Sequence, residues 1–363
     1  MRGRSKTARR QDRETPDGAL RSKFELRKAA ALVSLRRDVV VEAPFRARVA
    51  DDDGSRARKM PPASGMLREI AFPEIFEQWL KSCQQYKELE VSYDASDKVL
   101  WCFMKPRTRP SVTLGLARES RDLQRSIKRL FGTLAPSDEP PIRYMVWGSS
   151  IPGIFNLGGD LRLFADLIRA GDREGLREYA VSCIDVVYAN AVSLDLPIIT
   201  ISLVEGEALG GGFEAAISSD LVVAERSARF ALPEVLFNVF PGMGAYSLIA
   251  RRTTAALAER MILGGRVHTA EELYDLGLVD LLVEPGQARA TLSDHIAKIS
   301  QRHNAQCAVY KVGRRVNPVS YDELYDIAMI WVDTVLGLSE ADLKKMERLA
   351  RAQDRRRAHK HES

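Results

Sequence analysis

From Ile142 to Glu284, short β-branched runs alternate with stretches of helical periodicity, and this alternation limits the fold more than any other feature of the chain. IRYMVWGS, IITISLV, DLVVAE and LVDLLVE read as strands, while residues 161–194, GGFEAAISS, GAYSLIARR and TAEELYDLG between them read as helices. Strands separated by helices need crossover connections, which implies an α/β fold with a mainly parallel sheet. Upstream, residues 69–81 predict an amphipathic helix, and residues 89–106 predict a hairpin turning at Asp94-Ala95-Ser96-Asp97. Leu116, Leu123, Ile127 and Leu130 mark a further helix by their spacing. Residues 286–357 read as almost continuous helix, with segments ending at Ile299, starting after Val319 and running from Glu340 to Arg357. An apolar-faced helical tail of this kind packs on the sheet domain or on a neighbouring subunit.

The expected organisation is a basic, disordered extension over 1–65, a core over 66–285, a helical region over 286–357 and a disordered tail over 358–363. Residues 1–60 hold 17 Lys and Arg against 9 Asp and Glu, a net of +8, while the remainder of the chain carries −3. Such a segment, poor in aromatics and aperiodic, cannot bury enough surface to order itself. It reads either as an electrostatic arm for nucleic acid or acidic membrane or as a solvated extension, and the second reading is favoured, so a nucleic-acid partner is not expected. Asp12, Glu14 and Asp17 count against an organelle transit peptide. No apolar run approaches the roughly 20 residues that a spanning helix needs, so no membrane insertion is expected. Cys83, Cys102, Cys183 and Cys307 lie far apart without a C-x-x-C pair, consistent with a reducing, cytoplasmic setting. The five histidines show no ligand spacing, so neither a metal nor a cofactor is expected.

Glu214 and Glu234 stand in an otherwise apolar, glycine-rich stretch from Pro197 to Tyr246. A carboxylate there costs several kcal/mol to desolvate, and two of them point to proton transfer. Taken singly, each has a blander reading: Glu214 as a charge welcomed at a helix start, Glu234 as a surface loop residue. Three glycines precede Phe213 and Glu214 between a strand and a helix, where the Gly211 N–H is free to face a carbonyl oxygen that becomes enolate-like. Gly158-Gly159, ahead of Asp160, offer a second backbone donor from a separate loop, Gly159 N–H. Leu209, Leu236, Phe237, Val239, Met243 and Tyr246 are candidate walls of an apolar substrate tunnel, and Trp331 either closes that pocket or packs beside it.

These residues together resemble the crotonase (enoyl-CoA hydratase) superfamily over about Leu89 to Arg357. The pattern A-G-x-D-L is answered by Leu157 to Leu161, and A-L-G-G-G-x-E by Ala208 to Glu214. Longer strings, FNLGGDL, ALGGGFEAA, LPEVLFNVFPGMGAYS and WVDTVLGL, resemble most the diffusible signal factor synthases, which make cis-2-unsaturated fatty acid signals. The resemblance implies a spiral of ββα repeats followed by C-terminal helices that mediate trimer contacts or act as a lid. It implies Gly159 and Gly211 as oxyanion donors and Glu214 and Glu234 as the acid/base pair. It also implies a 3-hydroxyacyl thioester on acyl carrier protein as substrate, dehydrated and then hydrolysed, with a homotrimer or dimer of trimers and a regulatory sensor kinase as partners. The alternatives are an enoyl-CoA hydratase acting on a CoA thioester, and an interaction protein working through the basic extension. Leu157 stands where many CoA-using members have Ala.

Overall fold

The computed structural model describes residues 72–135 and 138–361. The extension expected over 1–65 lies outside those residues, as do Glu362 and Ser363.

Helix α1 (Phe72–Cys83) leads into the expected hairpin of β1 (Leu89–Asp94) and β2 (Val99–Met104), whose antiparallel register closes on the pair Asp94 and Val99. Helix α2 (Leu114–Phe131) begins at Thr113, whose side chain accepts the Leu116 N–H, the usual way a first-turn donor is satisfied. From β3 (Tyr144–Ser149) onward the chain winds in turns of one construction. β3 and β4 (Ile154–Asn156) precede α3 (Leu161–Ala170) and α4 (Arg173–Ala191). β5 (Ile199–Val204) and β6 (Glu207–Leu209) precede α5 (Gly211–Ile217). β7 (Leu221–Glu225) and β8 (Arg229–Ala231) precede a 3-10 turn at Pro233–Phe237, α6 (Ala245–Arg252) and α7 (Ala255–Gly264). β9 (Val267–Thr269), α8 (Ala270–Asp275) and β10 (Leu281–Val283) complete the sheets.

In each turn the longer strand joins one sheet and the three-residue strand joins another. The larger sheet has the order β1-β2-β3-β5-β7-β10 and is parallel except at its first pair. The smaller sheet has the order β4-β6-β8-β9, with β4, β6 and β8 parallel. The expected mainly parallel α/β arrangement is therefore present, but the second sheet is not visible in the sequence, because strands of three residues are too short to display a period of two. α7 was likewise not expected. The helical run expected from Leu161 to Leu194 is two helices: Gly171, at φ 64°, ends the first, and Asp172 caps the second by accepting the Gly175 N–H.

The C-terminal region is four helices: α9 (Ala288–Ile299), α10 (His303–Val316), α11 (Tyr321–Leu336) and α12 (Glu340–His361). α12 continues past the boundary expected at Arg357, so residues 358–361 extend a helix instead of forming a tail; Ala358, His359 and Lys360 supply no glycine or proline to stop it. α9 and α10 cover one face of the large sheet, where Leu292 and Ile296 pack with Val146, Ile201 and Leu203. On its other face lies the larger core, which includes α11 and α12 through Trp331, Val332, Leu343 and Met346.

Candidate active site

The small sheet places the site. Because β4, β6 and β8 lie side by side and parallel, the segments leaving their C-terminal ends emerge together. Those segments carry Gly158-Gly159, Gly210-Gly211 and Pro233-Glu234 in turn. The approach is close enough to demand glycine. Gly158 sits at φ 90°, and a Cβ there would lie 2.8 Å from the Leu209 carbonyl oxygen and 3.2 Å from the Gly211 nitrogen. The Gly158 N–H is held by the Asn156 side-chain oxygen at 2.8 Å, and its carbonyl accepts the Val112 N–H at 2.7 Å. Asp160 caps α3 by accepting the Leu163 N–H at 3.3 Å, and Arg109 donates to the same oxygen at 2.8 Å. Among the described residues neither the Gly159 N–H nor the Gly211 N–H, the first of α5, has an acceptor. A Cβ on Gly211 would lie 3.7 Å from the Gly159 nitrogen, so the two donors are neighbours.

Glu214 follows on the first turn of α5, buried to 1% exposure. One of its carboxylate oxygens accepts the Met243 N–H at 2.7 Å and the Ala245 N–H at 3.0 Å. Burial raises its pKa above the ordinary carboxylate range, and the two N–H donors, which favour the charged form, hold that rise back. Glu234 comes from the 3-10 turn that Pro233 opens, and its Oε1 lies against the Cα side of Gly210. Its Oε2 is buried with no hydrogen-bond partner among the described residues. Burial raises this group too, and the nearby Glu214 charge raises it further. Glu214 therefore has two backbone donors that favour its charge, whereas the buried Oε2 of Glu234 has none among the described residues.

Both glutamates and both pairs of glycines line one cavity of about 340 Å³. Leu209, Leu236, Phe237, Val239 and Met243 are on its wall, as the sequence suggested, although Leu236 is also 55% exposed. Tyr246 is not on the wall: it is 43% exposed, because α6 turns Ala245, Leu248 and Ile249 inward and Tyr246 outward. Trp331 lines the cavity and is buried to 3% exposure, so it is both wall and core. Sequence reasoning missed Phe164, Tyr179, Trp147 and Asn190, which also line the cavity. Phe164 carried a usable signal, four residues after the cap Asp160 and so one turn into a helix that starts at the site; the others lie far from every motif. Leu157, the departure from the superfamily pattern, is buried and lines the same cavity. Among the described residues no group of three or more His, Cys, Asp or Glu could hold a metal, and no helix is long and apolar enough to cross a membrane.

The sequence profile of the enoyl-CoA hydratase/isomerase family matches residues 134–315, half of the chain and all three of the converging segments. The chain belongs to this family. It is similar to the mitochondrial methylglutaconyl-CoA hydratase of Rattus norvegicus, 27% identical over 215 residues that make up 58% of this chain and 65% of that protein. It is 34% identical to the mitochondrial methylglutaconyl-CoA hydratase 1 of Pyricularia oryzae over 158 residues, 43% of each chain. The chain thus spans less than two thirds of the length of these relatives. Among solved structures, Pseudomonas aeruginosa DspI is similar with a TM-score of 0.54 at 26% identity, covering 64% of this chain and 88% of that one. The enoyl-CoA hydratase of Bacillus halodurans shares the fold with a TM-score of 0.62 at 18% identity, over 72% and 99% of the two chains. The crotonase fold expected from the sequence is therefore the fold observed.

Proposed function

We propose that the protein dehydrates a medium-chain 3-hydroxyacyl thioester, carried on acyl carrier protein, to the cis-2-enoyl thioester and then hydrolyses it to the free cis-2-enoic acid. The observation that carries this reading is the convergence of two unengaged N–H groups and two buried glutamates at one apolar cavity. Removing a proton from the carbon next to a thioester puts charge on the carbonyl oxygen. Two preorganised donors facing that oxygen each contribute roughly 3 kcal/mol or more. The Glu214–Glu234 pair holds one proton between its members. Elimination takes one proton from the α-carbon and gives one to the departing hydroxyl, so the pair finishes as it began, with water released. Each such transfer is worth about 10² to 10⁴ in rate. For hydrolysis, water attacks the thioester carbon, the ionised carboxylate takes its proton, and the protonated one returns a proton to the departing sulfur. The apolar wall of Leu157, Leu209, Phe237, Val239 and Met243 suits an alkyl chain. Resemblance to diffusible signal factor synthases supports the carrier and the cis product, and the likeness to DspI is in keeping with it.

Incubating purified protein with 3-hydroxyacyl carrier protein and analysing free acids by mass spectrometry tests the reading. Wild type is expected to release the 2-enoic acid, and Glu214→Ala and Glu234→Ala to release at least about a hundredfold less. Equal product from all three would clear the glutamates of any role. The second reading, hydration of a trans-2-enoyl-CoA, is favoured by the named activity of the rat and fungal relatives. Loss of enoyl absorbance with the CoA substrate, with no free acid formed, would select it.

A further inference from the structure

Two aromatic rings, Phe164 and Trp331, pack against the two backbone segments that build the site. A Cβ on Gly159 would lie 2.6 Å from Cε2 and 2.7 Å from Cζ of Phe164, so the Phe164 ring lies directly on the Gly159 backbone. A Cβ on Gly242 would fall on the Trp331 indole. Gly242 immediately precedes Met243, in the segment whose Met243 and Ala245 N–H groups grip Glu214. Phe164 and Trp331 meet edge to face, with ring centroids 5.1 Å apart and planes at 69°. Tyr179 also meets Phe164 edge to face, with centroids 4.8 Å apart, and its hydroxyl donates to the Val112 carbonyl at 2.6 Å. Phe164, Tyr179 and Trp331 are 5%, 1% and 3% exposed, and all three line the cavity.

We propose that Phe164 and Trp331 are positioning residues: a ring pair from α3 and α11 that fixes the Gly159 donor relative to the Glu214 grip while forming the wall on which the acyl chain lies. The inference rests on the proposed function, since it assigns the rings to the same thioester chemistry. Its physical basis is packing. Rings in van der Waals contact with two backbone segments leave neither free to shift without opening a void. Misplacing a reacting group by about 1 Å can cost about 10² in rate. Because the same rings face the cavity, a bound acyl chain presses on both segments, and its presence should tighten their alignment.

The test compares Phe164→Leu, Trp331→Phe and Trp331→Ala with wild type, with Tyr274→Ala on the exposed face of α8 as control. Each is assayed with a short and a medium-chain 3-hydroxyacyl thioester. Turnover by wild type comes first: its absence with every thioester would refute the functional reading, and the inference with it. Given turnover, Phe164→Leu and Trp331→Ala are expected to lose about 10- to 100-fold in kcat with the short acyl chain as well as with the medium one. KM for the short substrate should change less than about threefold, and Trp331→Phe should recover most of the loss. The acid limb of the kcat profile should move to higher pH in Trp331→Ala, because a looser grip by Met243 and Ala245 withdraws the donors that favour the Glu214 charge. A rise in KM confined to the medium chain, with kcat and the pH profile of the short substrate unchanged, would reduce the rings to a substrate wall and overturn the proposal. Thermal unfolding accompanies each variant; should Phe164→Leu fail to fold, Trp331→Phe against Trp331→Ala decides, because the first keeps a ring in the slot.

Discussion

At the scale of single residues, the site depends on a contrast between two identical side chains. Glu214 has two backbone donors on one oxygen, whereas Glu234 has a buried oxygen with none among the described residues. Burial raises both carboxyls toward neutrality, so protonated and ionised forms are both within reach there, as the proposed elimination uses. Glu214→Gln and Glu234→Gln are each expected to lower kcat by about 10² to 10⁴ in steady-state assays, with smaller changes in KM. The same shifts have a signature in stability. Both carboxylates have folded-state pKa values raised above the unfolded value. Their contribution to folding is therefore fully present near pH 4 and below, and is lost as pH rises through the raised values. Glu234→Gln cannot titrate, so its melting temperature relative to wild type should climb with pH, by roughly 2–4 °C for each kcal/mol regained, and show no gain near pH 4. Thermal unfolding at pH 4 and pH 8.5 would decide it. That both glutamates would matter to one apolar site was legible in the chain, because two carboxylates in an apolar stretch are costly, and the structure places both at one cavity. The contrast in their surroundings was not, since it depends on N–H groups 29 and 31 residues further along.

At the scale of elements, what the chain conceals is the small sheet. β4, β6, β8 and β9 have three residues each, and β4 lies partly inside the FNLGGDL string, where the glycines dominate any reading. Yet these strands bring Gly159, Gly211 and Glu234 together, since only parallel neighbours release their C-terminal segments on the same side. The longer strands of the large sheet and the helices α2, α5 and α11 were legible because four or more residues suffice to show apolar continuity or helical spacing. Asn156, at the end of β4, is 1% exposed and ties the strand to the turn through the Gly158 N–H. Asn156→Ala strands that donor and is expected to cost about 1–3 kcal/mol in denaturant unfolding. It should lower kcat beyond what stability alone explains, because Gly159 follows directly. Tyr246 shows the opposite failure. Its place in PGMGAYS suggested a wall, but one residue of helical rotation sends it outward.

At the scale of the molecule, the large sheet separates two bodies of apolar packing with different tasks. One face, against α9 and α10, holds Leu292 and Ile296 and none of the site. The other carries the cavity and the helices that close it. Leu292→Ala should therefore cost about 2–5 kcal/mol of stability and leave kcat and KM within about twofold at a temperature where the variant is folded; a selective fall in kcat would show that the faces are coupled. The two donors, Gly159 after β4 and Gly211 after β6, have a different standing from every other part of the site. They are main-chain groups, so no side-chain replacement short of proline erases them. The two carboxylates can each be lost by a single substitution. On the proposed function, the scaffold therefore separates polarising a carbonyl, which is inherited with the backbone path itself, from moving protons, which is exchangeable, so the same frame could be retuned to a different reaction at two positions without being rebuilt.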